Sequence, residues 1–280
     1  MNCRVEKSEI NGKIVCPPNK SYTHRAIFLA TLADGKSIIK NILKSGDTYS
    51  TINACKNFGA EIKDVGNDIT VNSTGELKLH SNTIDAANSG TTIRIATAIS
   101  TLSSDKIVLT GDSSLKKRPM QPLLDALESL DAKCSSSNGN PPISISGKIK
   151  GGEVKISGSV SSQFISALMI TAPKLEKGLI LNIQNKLVSK PYIDATIAAM
   201  KKFGAEVEIK TAYKKYIIDK QDYKSTTFAI PSDFSSLALL LSAAVLLGED
   251  ITIQISSGSM PQADEAIIDI LEIMGVVITL

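Results

Sequence analysis

The strongest constraint on this 280-residue chain is that it repeats itself. Four segments share one apolar pattern: TINACKNFGAEI (51–62), PLLDALESLDAKC (122–134), ATIAAMKKFGAEV (195–207) and AIIDILEIMGVVI (266–278). Aligned on Gly59, Asp131, Gly204 and Gly275, they recur at intervals of 72, 73 and 71 residues. Apolar residues stand seven, four and one positions before each anchor, as in Ile197, Met200 and Phe203. Steps of three place such residues on one face of a helix. Glycine at the anchor suits the position just past a helix C-terminus, where φ turns positive. The stretch after it, such as Ala205 to Ile209, alternates like a half-buried strand.

A second apolar helix precedes each of these segments, within 22–35, 91–105, 163–178 and 235–250, and a β-rich stretch follows it. One unit therefore reads βαβαββ over about 72 residues. Helices this apolar on every side must be buried. The expected fold class is α/β: three pseudo-threefold units closing as an inside-out barrel, helices within and sheets outside. Residues 19–228 supply three complete units. Residues 1–18 together with 229–280 are expected to form an incomplete second domain of the same kind.

Composition removes whole classes of function. There are 31 basic and 28 acidic residues, a net charge of +3, which is too balanced for a nucleic-acid binder with a dense basic face. Trp is absent and aromatics make up 4%, so the cores are aliphatic. Cys3, Cys16, Cys55 and Cys134 have no CxxC spacing, and His24 and His80 are the only histidines, so neither a metal site nor a disulfide framework is expected. No cofactor motif is present: Gly35-Lys36-Ser37 follows a helix instead of opening one, and its P-loop partner position is Ala30. The apolar run Leu237 to Leu247 is too short to span a bilayer, and the N-terminus lacks an export signal, so a cytoplasmic protein without membrane contact is expected. His24, with no paired carboxylate in sequence, reads as a surface or supporting residue.

Polar residues gather where the first helices start: Asn19-Lys20-Ser21, Asn88-Ser89-Gly90-Thr91-Thr92 and Ser159 to Gln163. Free backbone N–H groups and a positive dipole make such starts anion sites, although N-capping explains any one of them singly. Arg25 and Arg94 lie thirteen residues before Ile38 and Ile107, which suggests equivalent positions in two units. An arginine on so apolar a helix needs an anionic partner, either a core-edge carboxylate or a ligand. With Lys20 and the Lys116-Lys117-Arg118 cluster, the pattern suits chemistry run by anion clamping and proton transfer.

The segments PPNKSYTHRAIFLATLADG (17–35), NSGTTIR (88–94), LTGDSSLKKRP (109–119), SSQFISALMITAP (161–173) and LVSKPYIDATIAAMKKFG (187–204) resemble, in order, the signatures of 5-enolpyruvylshikimate-3-phosphate (EPSP) synthases. The resemblance implies transfer of the enolpyruvyl group of phosphoenolpyruvate to the 5-hydroxyl of shikimate 3-phosphate, without metal or cofactor, in a glyphosate-sensitive enzyme of the shikimate pathway. It implies that Lys20, Gly90, Arg118 and Gln163 meet phosphoenolpyruvate, with Lys20 also catalytic. Lys20, Ser21, Arg25, Ser161, Ser162, Gln163, Ser189 and Tyr192 would hold shikimate 3-phosphate. Asn88, Thr91 and Arg94 would shape the loop between the two ligands.

The family has six units, and this sequence has fewer than four. The family's proton-transfer carboxylates, with further arginines and a lysine, fall in the remainder. The chain alone is therefore expected to be inactive and prone to self-association, whereas a full-length protein would be monomeric. Two alternatives fit the residues less well. A UDP-N-acetylglucosamine enolpyruvyl transferase would carry Lys-Asn instead of Lys20-Ser21 and a cysteine within 111–118. A non-catalytic anion-binding scaffold would have no reason to keep the whole set of polar groups.

Overall fold

The computed structural model describes residues 10–256 and 260–279; Cys3 and the first half of the 1–18 segment lie outside them. The elements in chain order are β1 (Ile10–Val15), α1 (Lys20–Leu32), β2 (Ala33–Lys40), α2 (Gly46–Asn57), β3 (Glu61–Val65) and β4 (Asp68–Thr74), then β5 (Thr83–Asp85), α3 (Gly90–Ser100), β6 (Ile107–Thr110), α4 (Gln121–Glu128), β7 (Lys133–Ser137) and β8 (Asn140–Ser146). They continue with β9 (Gly152–Ser157), α5 (Ser162–Thr171), β10 (Leu179–Gln184), α6 (Pro191–Lys202), β11 (Glu208–Thr211), β12 (Lys215–Ile218), β13 (Tyr223–Lys224) and β14 (Thr227–Ala229). The last are α7 (Phe234–Leu247), β15 (Gly248–Gln254) and α8 (Ala266–Ile273).

The repeat is visible at the C-terminus of every second helix. Gly59, Asp131, Gly204 and Gly275 have φ of 106°, 71°, 81° and 93°. The next residue in each copy donates its N–H five residues back, Ala60 to Cys55, Ala132 to Leu127, Ala205 to Met200 and Val276 to Leu271. This is the Schellman closure, and the apolar residue four before the anchor supplies its carbonyl. At Gly59 a side chain is also excluded by space, because a Cβ would lie 2.7 Å from the Lys78 carbonyl oxygen. Asp131 shows that the left-handed turn is required even where glycine is missing, since aspartate tolerates it better than most residues.

Three sheets share one strand order: β14–β2–β4–β3, β5–β6–β8–β7 and β9–β10–β12–β11. In each the first pair is parallel and the others antiparallel. The linear βαβαββ reading needs one correction. The strand leading into α1 in the chain, β1, pairs with β15 instead. The leading strand of the first unit comes from the far end of residues 19–228, as β13 and β14 beside β2. The chain thus crosses between the two groups at 16–19 and again near 229–233, where Asn19 N–H bonds the Pro231 carbonyl.

In the interior α3 packs on α5 and on α1, and α1 and α5 both pack on α6. Every residue from Tyr22 to Leu32 is buried, which explains why the sequence there has no polar face. Helix α7 is just as apolar, yet only Leu237 in it is buried. Burial therefore separates the three-sheet body from the α7–β15–α8 group. No helix among the described residues is long and apolar enough to cross a membrane.

Candidate functional site: an anion-ready face at helix N-termini

The N-caps are Asn19, Ser89 and Ser161, whose side chains accept from the backbone N–H of Tyr22, Thr92 and Gln163. Capping and ligand binding are thus not exclusive: one donor per helix is used by the cap. Side chains then tie the three starts together. Arg94 of α3 donates to the side-chain oxygen of Gln163 on α5, and Gln163 Nε2 donates to Thr91 Oγ1 at 3.2 Å. Arg25 of α1 reaches Ser166 Oγ on α5 at 3.4 Å, Thr196 Oγ1 on α6 at 2.9 Å and the Tyr192 carbonyl at 3.1 Å.

Arg25 and Arg94 are not in equivalent positions. Counting from its N-cap, Arg25 is the sixth residue of its segment and Arg94 the fifth. One residue is about 100° around a helix, so the two guanidiniums leave by different directions. Arg25 also lies 6.0 Å from the Tyr192 ring centroid, and Arg94 lies 5.0 Å from that of Phe164. Neither arginine meets a carboxylate among the described residues. Burial lowers both to about 10, with Arg118 contributing at Arg94, so both remain charged near neutrality. The Arg94 Nε is buried without a partner among the described residues. One buried and one half-buried cation without counter-ions among the described residues are costly, and an anionic ligand would offset that cost.

Beside α3, Arg118 donates to Asn88 Oδ1 at 2.7 Å, and its guanidinium lies over Gly90. A Cβ on Gly90 would come within 2.6 Å of Arg118 Nη1. Asn88, Gly90, Thr91, Arg94, Arg118 and Gln163 therefore form one cluster. Lys20, Ser21 and Tyr192 form another; they line a cavity of about 290 Å³ with Asn19, Asp233 and Gln262. Arg25 lies beneath this second group, with Nη1 on the Ser21 carbonyl at 3.0 Å. Ser161 holds its cap, Ser162 is buried beside it, and Ser189 is exposed at φ 56°; none of the three lines the cavity.

Several residues of the site escaped sequence reasoning. Asp47, in the first turn of α2, pairs with Lys20 Nζ at 3.1 Å. Its signal was the Ser45 and Thr48 capping box, which marks Gly46-Asp47 as a helix start. Asp233 caps α7 and accepts from Asn19 Nδ2 at 3.1 Å, and burial pushes its carboxyl upward. His24 is not a surface residue: it is 1% exposed. Its Nδ1 lies 2.6 Å from Thr51 Oγ1, Thr51 lies 2.7 Å from Thr92 Oγ1, and Thr92 donates to Ser89 Oγ at 2.7 Å. That direction makes Nδ1 the protonated nitrogen and leaves Nε2 without a partner among the described residues.

Fold and site together define a repeat-built α/β protein whose helix N-termini present a cationic, hydroxyl-rich face. The sequence matches the profile of EPSP synthase (3-phosphoshikimate 1-carboxyvinyltransferase) over residues 5–280, and the chain belongs to that family. A 3-phosphoshikimate 1-carboxyvinyltransferase of Nitrosopumilus maritimus is 57% identical over 280 residues, covering 100% of this chain and 66% of the relative. One from Methanosphaera stadtmanae is 40% identical over 289 residues, covering 100% of this chain and 68% of the relative. An EPSP synthase structure from Acinetobacter baumannii shares the fold, with TM-score 0.81 at 24% identity over 96% of this chain and 60% of that one. The chain thus spans about two thirds of the length of its relatives.

Proposed function

We propose that this chain carries one wall of an EPSP synthase active site, the wall that holds shikimate 3-phosphate and part of phosphoenolpyruvate. The observation that supports it best is that the buried Arg25 and the half-buried Arg94 have no carboxylate partner among the described residues, beside three capped helix starts. On this reading Ser21, Arg25, Ser161, Ser162, Ser189 and Tyr192 hold shikimate 3-phosphate. Gly90, Arg118 and Gln163 receive phosphoenolpyruvate, and Lys20, held by Asp47, stands between them as the catalytic cation. Asn88, Thr91 and Arg94 set the loop around Gly90. The transfer moves the enolpyruvyl group to the 5-hydroxyl and releases phosphate, and clamping both anions supplies proximity and charge stabilisation.

The same reading divides the chain into a three-unit body, 19–228, and a second group made of 1–18 and 229–280. It assigns the remaining wall to polypeptide matching the rest of the relatives' length, so that this chain binds ligand without turnover. Calorimetry with shikimate 3-phosphate tests it. Binding that is weak, in the millimolar range, and lost in Arg25→Ala supports it; the absence of any heat at millimolar ligand counts against it. Turnover by this chain alone would show that the wall is sufficient and the division wrong.

A further inference from the structure

Ser189 and Tyr192 sit on the turn that opens α6, and Ser189 holds φ of 56° although it is not glycine. A serine in that region persists only where its surroundings impose the shape. Part of the restraint is local: Val188 N–H bonds the Gly158 carbonyl at 3.0 Å, and Tyr192 N–H bonds the Ser189 carbonyl at 3.2 Å. The helix itself offers no cap, since Lys190 at the N-cap position makes no side-chain capping bond and Pro191 follows it.

The remaining restraint comes from the tip of the β11–β12 hairpin. There Tyr213, itself at φ 58°, donates its phenol proton to Asp194 Oδ2 at 2.8 Å, within the first turn of α6. The Lys190 ammonium lies 5.0 Å from the centre of the Tyr213 ring. One aromatic side chain thus holds residues on both sides of Pro191, by a charge-assisted hydrogen bond and by a cation over its face. Tyr213 is fixed in turn, its own N–H bonded to Tyr216 Oη at 2.9 Å, and Tyr216 is buried.

We propose that Tyr213 is a positioning residue: through Asp194 and Lys190 it holds the 187–193 turn in the shape that presents Ser189 and Tyr192 to shikimate 3-phosphate. The role in binding rests on the function proposed above; the holding of the turn does not. Tyr213→Ala removes both contacts, whereas Tyr213→Phe keeps the ring beneath Lys190 and loses only the hydrogen bond. In the 280-residue chain, Tyr213→Ala weakens shikimate 3-phosphate about tenfold and Tyr213→Phe restores part of that loss, with little change in melting temperature. Hydrogen exchange on the ligand-free chain gives a second readout, with Val188, Tyr192 and Ile193 amides exchanging faster in Tyr213→Ala than in the parent. If the parent binds and the alanine variant binds equally well, the positioning role is overturned. If the parent takes up no ligand, the functional reading falls, and unchanged exchange over 188–193 then overturns the holding of the turn independently.

Discussion

Arg25 Nε donates to Thr196 Oγ1 at 2.9 Å, joining the first helix of the chain to the sixth across the interior. Thr196 also donates to the Tyr192 carbonyl at 2.7 Å and meets Ser166 Oγ at 2.8 Å. Removing the guanidinium therefore leaves these hydroxyls satisfied by one another. An arginine kept for structure would leave orphaned partners behind; this one does not.

Arg25→Met should accordingly unfold in urea with a stability within about 1 kcal/mol of the parent, since a buried charge is replaced by an apolar chain of similar length. Shikimate 3-phosphate affinity should fall at least about tenfold, the loss of one charge-assisted contact. Destabilisation beyond about 2 kcal/mol with affinity retained would make Arg25 a structural residue.

Burial holds the His24 imidazole at about 3, with its neutral Nδ1–H donating to Thr51. The folded pKa lies below the unfolded value of 6.5, so His24 supports the fold above pH 6.5. That support is lost as pH falls toward 3, at about 1.4 kcal/mol per unit. Asparagine can supply the same donor without titrating. Between pH 6.5 and 5, where few carboxylates titrate, His24→Asn should show a shallower loss of stability than the parent. Parallel slopes in urea melts would mean that the ring is charged or exposed in the fold.

Gly90 is the first residue of α3, with no positive φ to demand glycine, so alanine is acceptable to the backbone there. The obstacle is Arg118, whose Nη1 would stand 2.6 Å from the added methyl. Gly90→Ala should leave the melting temperature unchanged or slightly raised while displacing Arg118 and weakening phosphoenolpyruvate or glyphosate about tenfold in a full-length protein. Unaltered inhibition and substrate affinity would show that Arg118 does not work over Gly90.

Leu239 and Leu246 of α7 are 74% and 78% exposed, and Ile273 on α8 is 86% exposed. Large apolar side chains left exposed in this number favour association. Sedimentation of the 280-residue chain should show concentration-dependent self-association, abolished by Leu239→Lys with Leu246→Lys. Hydrogen exchange in that monomeric double variant should be faster over α7 and α8 than over α1, α3 and α5. A parent chain that stays monomeric at high concentration would refute the association.

The sequence by itself determined the repeat, its period, and the left-handed turn at each anchor, because these depend on local helix chemistry. A glycine at 59, 204 and 275 and an apolar residue four before it are enough to specify a Schellman closure. It also pointed to α1, α3 and α5 as interior helices, but α7 is just as apolar and only Leu237 in it is buried, so composition alone does not decide burial. Tertiary structure decided the rest. The pairing of β1 with β15 agrees with the expected grouping of 1–18 with 229–280, but nothing local shows that β13 and β14 take the leading-strand place beside β2. Arg25 and Arg94 look equivalent by spacing to the following strands, but a one-residue offset from the N-cap turns their guanidiniums apart. Asp47 beside Lys20, the His24–Thr51–Thr92 chain and Tyr213 over the α6 turn are contacts between residues 19 to 41 positions apart in sequence. No periodicity records such contacts; they exist only because packing the apolar helices together fixes which polar edges meet.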